Sequence, residues 1–461
     1  MTNIKPIFDF DSYKASHHNA YPSDMQKMVC YLEPRLNDGG NMRMAGVQNF
    51  VQNLAENLLT YDDVDLVYKL ATQHFGRDDV FPVQDWRYIV DTYGGHLPLK
   101  ISSLPDGTVF TGSNMVVRVE STDPRVPWLA SFVETQIERL WYDITVCTNS
   151  YRLREIISKK LSKTCPHWES VLPFMLHDFG ARGTSSLQTA AQGGLAHLIN
   201  FSGSDTFAAI THGYNEYEQM AGYSIPAMEH STVISWGRER ESEAYANFIR
   251  ENGKPGQPIA IVVDSYDVDY TVQHIIGVEL KEMILASGVK LMIRPDSGDP
   301  KTMVLKMLGY LESSFGTTTN DRGYKVLNNV GVVQGDGVNA QSIAEILDAI
   351  VNDGWCVSNL VFGMGGALLQ RVDRDTYRFA YKPCLIVNDL GQAKGVSKSP
   401  KDDPGKQSKS GDLDVVYVYG EGLITIDRLT STLSHPSQLV THYHNGQLSA
   451  RDTLDVIRKR G

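Results

Sequence analysis

Seven short apolar runs punctuate the middle of the chain, each followed by a cluster of small, polar and charged residues. They are Leu172–Leu176 before His177–Ser186, His197–Phe201 before Ser202–Thr206, Ser224–Met228 before Glu229–Ser231, and Ile259–Val263 before Asp264–Asp267. Lys290–Ile293 before Arg294–Asp299, Gly331–Val333 before Gln334–Gly337, and Leu360–Phe362 before Gly363–Gly366 complete the set. Helix-like stretches lie between most of them. Strands buried on both faces read as continuous apolar runs rather than as alternation. The spacing therefore predicts a parallel α/β barrel, in which the loops after the strands converge on one face and carry the chemistry.

The flanks have a different rhythm. Gln26–Glu33 alternates weakly, and Thr108–Thr111 with Met115–Val119 around Gly112-Ser113-Asn114 predicts a hairpin. Leu129–Ser162 reads as a long helical region. After Arg374 come strand-like Tyr377–Tyr381, Leu413–Tyr419 and Leu423–Asp427, then a short helix at Ala450–Lys459. The intervening Lys394–Asp412, rich in Lys, Ser, Asp, Pro and Gly, reads as a surface loop. Neither flank is large enough to fold well alone. The expected organisation is an α/β sandwich domain of residues 1–164 and 377–461, with a barrel catalytic domain of residues 165–376.

Composition narrows the function classes. A chain of 461 residues favours two domains, and 42% hydrophobic with 9% aromatic residues is ordinary for a globular protein. The net charge of −11, with no basic block beyond Arg458–Arg460, makes nucleic acid a poor partner. The five cysteines (Cys30, Cys147, Cys165, Cys356, Cys384) have no CxxC spacing, which suits free thiols in a reducing compartment. With no apolar leader and no apolar run of about 18 residues, a cytoplasmic protein without a membrane anchor is expected. His17-His18 and His442/His444 have no third ligand at a zinc spacing.

The strand ends hold the candidate chemistry. Gly363-Met364-Gly365-Gly366, with Arg374, Arg378 and Lys382 downstream, suits a phosphate approached by backbone N–H groups and guanidinium. Asp296 and Asp299, helped by Asp264 and Asp267, could hold a sugar diol or a hydrated Mg²⁺, which takes few direct carboxylates. Asp336, between Gly335 and Gly337, is either another such acid or an Asx-turn. Phe179, between Asp178 and Gly180 and near Arg182, could be core or a platform for a flat ring. Asp205 could accept a hydrogen bond from that ring's substituent. His230, after Glu229, is either structural or an imidazole at a strand end.

Together these residues resemble the nicotinamide phosphoribosyltransferases, a family of type II phosphoribosyltransferases. The resemblance runs in order through Asp11–Lys14, His177–Gly183, Asn200–Thr206, Gly222–Thr232, Asp264–Asp267, Ile293–Gly298, Gln334–Gly337, Gly363–Gln370 and Asp403–Lys406. It implies an irregular, incomplete α/β barrel plus a sandwich domain, and a homodimer with active sites at the subunit interface. It also implies nicotinamide and 5-phosphoribosyl 1-pyrophosphate as substrates, with Mg²⁺ as cofactor and ATP as co-substrate. Phe179 would stack on the base, with Tyr13 of a second copy on the other face. Asp205 would accept the carboxamide N–H₂, and Ser224 and Arg294 would contact the substrate. Asp296 and Gly335 would hold ribose hydroxyls, with Asp264 and Asp336 nearby. Arg182, Gly365, Gly366 and Arg374 would grip phosphate, with Lys382 of the other chain. Arg35, Lys398 and Lys406 would meet pyrophosphate or nucleotide phosphates. His230 would be the phosphorylated histidine, and His230, Asp264 and Asp296 the catalytic set. Two positions depart from the family pattern: Ala380 stands where Ser is common, and Ala181 where Tyr is common. A nicotinate-specific transferase of the same fold is the nearest alternative; a barrel enzyme acting on another sugar phosphate and a non-enzymatic interaction protein are more distant ones.

Overall fold

The computed structural model describes residues 5–402 and 407–460. The chain forms two compact units: Asn149–Val372, and a second made of Met1–Thr148 with Asp373–Gly461. The division falls within the helix Leu140–Thr164 rather than at its end.

In the unit Asn149–Val372, six strands form one parallel sheet. Their order is Gly203–Ser204, Leu176–Asp178, Leu360–Met364, Val330–Gln334, Lys290–Arg294, Pro258–Val262. The remaining apolar run, Ser224–Met228, is not a regular strand, yet it joins the two edges. Tyr223 bridges Gly203 on one edge strand and Ala227 bridges Ala260 on the other. The Ser204 amide donates to the Tyr223 carbonyl at 3.0 Å, and the Ala260 amide to the Pro226 carbonyl at 2.9 Å. Pro226 has no N–H to extend a ladder, which limits this segment to isolated bridges. The ring is thus curled and irregular, and each sheet edge is capped by the same short segment.

Two runs are displaced from their expected roles. His197 and Leu198 end the helix Leu187–Leu198, and the amides of Asn200 and Phe201 bond back to the His197 carbonyl. The strand follows at Gly203. Likewise Leu172–Phe174 is a 3₁₀ turn, and its strand is Leu176–Asp178. Periodicity cannot separate a buried helix end from a buried strand over five residues.

The connecting helices start on sequence-encoded caps. Asn339 caps Ala340–Asn352, whose buried Ile343, Ile346, Leu347 and Ile350 form the 3.6-period stripe that faces inward. Asp299 accepts from the Thr302 amide at 3.0 Å and Pro300 occupies the first turn of Pro300–Phe315. Inside the ring, Ala260, Met292 and Val333 are buried, with Phe179, Ile225 and Val361 packed on them.

The second unit is built on a seven-stranded antiparallel sheet. The order is Ala393–Gly395, Phe379–Asn388, Met25–Pro34, Val117–Ser121, Leu99–Ser103, Val440–His444, Gln447–Leu448. Three N-terminal strands sit between C-terminal ones, so neither segment alone could bury this sheet. The expected hairpin at Thr108–Val119 is absent. Val109–Thr111 pairs with Asn41–Arg43, whereas Val117–Ser121 joins the large sheet. The Gly112-Ser113-Asn114 turn is real, with Ser113 at φ +67°, but it sends its two arms into different sheets. The expected long helical region breaks into Leu129–Phe132, Glu134–Glu138 and Leu140–Thr164.

This unit also buries two carboxyls near each other. Asp106 accepts from the Val47 and Gln48 amides at 3.2 and 3.1 Å, at the start of the helix Val47–Glu56. Asp143 packs against Gly46, where a Cβ would fall 2.8 Å from its own Cβ. Burial, first of all, pushes Asp106 up to about 6 and Asp143 up to about 7; the neighbouring Asp106 adds to the shift at Asp143. All five cysteines are buried and none is in a disulfide. No described helix is long and apolar enough to cross a membrane.

Candidate active site

Phe179 follows the strand Leu176–Asp178, and its amide donates to the Met364 carbonyl at 3.0 Å. This draws the ring over the neighbouring strand, where Gly363 makes room for it. A Cβ on Gly363 would lie 2.0 Å from Phe179 Cε2, and one on Gly335 would lie 3.5 Å from the same atom. The ring is half-buried and seated on the apolar floor of Ala260, Met292 and Val333. Arg294 borders the same place, its Cδ lying 3.6 Å from the position of a Gly335 Cβ. A Cβ on Gly365 would sit 3.4 Å from the Phe179 carbonyl oxygen. Gly366 opens the short helix Gly366–Leu369, and Gln370 Nε2 donates to the Gly180 carbonyl at 3.3 Å. Arg182 is exposed on the 3₁₀ turn Ala181–Gly183.

Asp205 lies beside Phe179 by register. His177 pairs with Gly203 and Asp178 with Ser204, so the next residues in line are Phe179 and Asp205. The Asp205 amide donates to the Asp178 carbonyl at 2.9 Å. Its carboxylate is exposed and accepts a hydrogen bond from the Ser224 hydroxyl.

A second cluster surrounds His230. Its Nε2 is 3.4 Å from Asp296 Oδ2 and 3.8 Å from Asp264 Oδ1. Its Nδ1 is 3.2 Å from Ser265 Oγ. Ser297 Oγ donates to Asp264 Oδ2 at 2.6 Å, while Asp264 Oδ1 is buried and has no hydrogen bond among the described residues. Arg294 Nε is also buried without a hydrogen bond, with Asp296 Oδ1 at 3.7 Å. This set of an imidazole, two carboxylates and a guanidinium comes from two strand ends and from the bridging segment that precedes His230.

Two acids that looked equivalent in sequence are helix caps. Asp267 accepts from the Asp269 and Tyr270 amides, both at 3.1 Å, and Asp299 accepts from the Thr302 amide and hydroxyl. Those bonds hold the Asp299 carboxyl below its ordinary range. In each acid, one carboxylate oxygen, Oδ1, is committed to capping a helix. Among the described residues, no group of three or more His, Cys, Asp or Glu is arranged to hold a metal ion. Asp336 is exposed; Gln334 Nε2 donates to its carbonyl at 2.8 Å.

The model of the nicotinate phosphoribosyltransferase family matches residues 174–446, more than half of the chain. The chain belongs to this family. The N-terminal domain model of nicotinamide phosphoribosyltransferase matches residues 5–101. A nicotinamide phosphoribosyltransferase of Xanthomonas campestris pv. campestris is 42% identical over 98% of this chain and 97% of its own length. That of Acinetobacter baylyi is 31% identical, covering 99% of this chain and 97% of its own. Among solved structures, a nicotinate-nucleotide pyrophosphorylase from Pyrococcus furiosus superposes with a TM-score of 0.61 at 16% identity, covering 98% of this chain and 93% of that one. Human nicotinic acid phosphoribosyltransferase gives a TM-score of 0.58 at 15% identity, with 98% and 92% covered. At these identities the two structures speak for the fold alone: a mixed α/β type II phosphoribosyltransferase.

Other expected residues of this family member lie in the second unit. Tyr13 is exposed at 56% on the turn Ser12–Asn19, and its hydroxyl is held above its ordinary range by burial, then by Glu134, Asp11 and Glu138. Lys382 Nζ lies 3.3 Å from Glu134, and Arg374 lies 3.8 Å from Glu138. One acidic turn therefore gathers Tyr13, Lys382 and Arg374. Arg35 Nε is 3.1 Å from Glu33, its Nη2 buried without a hydrogen bond among the described residues. Lys382 and Lys398 line one pocket together with Pro383, Val396, Ser397 and Ser408. Lys406 lies outside the described residues.

Three residues around the strand-end sites were missed: Ser265, Ser297 and Asp178. The serines sit inside motifs already marked by aspartates, so position alone could have found them. Asp178 is fully buried, and burial pushes its carboxyl up to about 6.

Proposed function

We propose that this chain transfers the 5-phosphoribosyl group from 5-phosphoribosyl 1-pyrophosphate to nicotinamide, giving nicotinamide mononucleotide and pyrophosphate. The observation that carries this reading is the exposed Asp205 carboxylate in register with Phe179, the half-buried ring on its glycine seat. A flat pyridine resting on that ring would present its substituent to an acceptor-only group. A carboxamide donates to it; the carboxylate of nicotinate is repelled. The 42% identical relative that carries the nicotinamide name supports the same choice of base.

The chemistry asks little proton transfer of the protein. The ring nitrogen has a free lone pair and attacks C1 of the ribose. The C1–O bond breaks with its electron pair passing to pyrophosphate. Positioning and charge placement carry the rate. Asp296 and Asp264 would stand near the cationic C1, and Arg182 and Arg374 would meet phosphate oxygens, helped by Lys382 of a second copy. The buried, unbonded Asp264 Oδ1 with Asp296 suits Mg²⁺, which binds through one or two carboxylates plus water and substrate oxygens. When bound, the ion would neutralise charge on the leaving pyrophosphate. Tyr13 of a second copy would cover the base from the other side, which requires a homodimer. His230, with Nδ1 on Ser265 and Nε2 facing two carboxylates, would accept a phosphoryl group from ATP and so couple hydrolysis to transfer.

The test is mass analysis of products from nicotinamide and nicotinate competing in one vessel with the pyrophosphorylated sugar and Mg²⁺, with and without ATP. Nicotinamide mononucleotide is expected as the dominant product, and more of it with ATP. Dominant nicotinate mononucleotide would assign the other base. Product without any ATP effect would remove the coupling and leave the transfer.

A further inference from the structure

Asp178 is the most buried acid at the strand ends, and neither the resemblance nor the reaction assigns it a task. Its carbonyl accepts the Asp205 amide at 2.9 Å, and its Oδ1 accepts the Gly180 amide at 2.7 Å. It thus holds the residue that would grip the carboxamide and the residue that follows the stacking ring. Phe179 lies between these two anchors, its own amide fixed to Met364. The other oxygen, Oδ2, is buried and points at Gly194, where a Cβ would fall 3.0 Å away. The Thr206 hydroxyl, one residue beyond Asp205, and the Ser204 hydroxyl face this carboxyl and favour its charged form against the effect of burial.

An Asp that accepts an amide two residues on is a common turn device, and on a surface it would need no further account. Here it is fully buried, and burying a carboxyl is costly even with hydroxyl partners. A packed apolar side chain would suit the fold better unless the loop geometry itself is needed. We propose that Asp178 is a positioning residue for base recognition: it sets the spacing between the Phe179 ring and the Asp205 carboxylate, and acts on the base only through them. The inference rests on the proposed transfer to nicotinamide.

The experiment compares Asp178→Ala, Asp178→Ser and Asp178→Asn in the full-length enzyme, with KM measured separately for nicotinamide and for 5-phosphoribosyl 1-pyrophosphate. Asn keeps the Oδ1 acceptor and offers Thr206 an N–H, so its nicotinamide KM should stay within about threefold of wild type. Ala removes the Gly180 bond, and its nicotinamide KM should rise about tenfold or more, since a small misplacement of binding groups is felt strongly. Ser, with a shorter reach, should fall between them, and it carries the arm if Ala does not fold. In all three the KM for the sugar should stay within about twofold. Unchanged nicotinamide KM in both Ala and Ser would overturn the proposal. So would equal rises for both substrates, which mean general loosening, or an Asn variant as impaired as Ala. A wild-type enzyme that makes no nicotinamide mononucleotide would instead overturn the functional reading, an outcome visible before any variant is measured.

Discussion

Gly363→Ala is the sharpest test of the ring platform. The added methyl would lie 2.0, 2.2 and 2.7 Å from Cε2, Cδ2 and Cζ of Phe179. Carbon atoms rest at about 3.5–4 Å, so the ring must retreat by roughly 1.5 Å. The floor of Ala260, Met292 and Val333 blocks inward movement, leaving the space that the base would occupy. An aromatic pair contributes about 0.5–1.5 kcal/mol beyond its buried area, and a misplacement of about 1 Å can cost about 100-fold in rate. The expected outcome is a loss of roughly 10- to 100-fold in kcat/KM for nicotinamide, because both effects act on one contact. Overpacking should destabilise the fold by about 1–3 kcal/mol, readable in thermal denaturation, and leave it folded. The decisive assay is a double-mutant cycle with Phe179→Ala. Without the ring there is nothing for the methyl to displace, so Gly363→Ala should cost little in that background. Additive losses would refute the reasoning, as would a single Gly363→Ala variant with wild-type kcat/KM.

Asp205→Asn should relax the choice of base. Two like charges at about 4 Å cost about 4 kcal/mol in a partly solvated site, so discrimination against nicotinate should fall by roughly two to three decades; an unchanged ratio in a competition assay would deny Asp205 this role. His230→Ala should retain ATP-independent transfer and lose ATP stimulation, measured as product formed with and without ATP; persistent stimulation would exclude phosphotransfer through this imidazole. Asp143→Asn should stabilise the protein in a pH-dependent way. The folded state holds the Asp143 proton up to about pH 7 and the unfolded chain releases it near its ordinary value of 3.8, so stability is lost as pH rises between them. Thermal denaturation should therefore show the variant several degrees more stable at pH 8 and little changed at pH 4; equal shifts at both would contradict the buried-carboxyl argument.

The apolar runs were legible because strands buried on both faces have no polar positions. Their registers were legible only in part. His197–Phe201 has the composition of a strand, and it lies at a helix end because the helix Leu187–Leu198 continues into it and the strand follows at Gly203. Ser224–Met228 reads as a strand like the others, but Pro226 removes a donor and reduces it to two bridges. The Gly112–Asn114 turn was visible, and the partners of its two arms were not, since pairing is chosen by distant segments.

What this sequence determined by itself was the set of loops that carry chemistry, because cap, turn and acid signals are local and lie next to apolar runs. What only the tertiary structure decided was the division of labour among chemically identical side chains. Asp267 and Asp299 each turn one oxygen to helix amides, whereas Asp264 and Asp296 converge on His230 from different strands. Asp178 and Phe179 are neighbours in sequence, yet one is sealed beneath the loop and the other is half-open above it, because strand pleat sends successive side chains to opposite sides. A carboxylate's neighbours set its chemistry, and those neighbours are brought together only when the ring of strands closes.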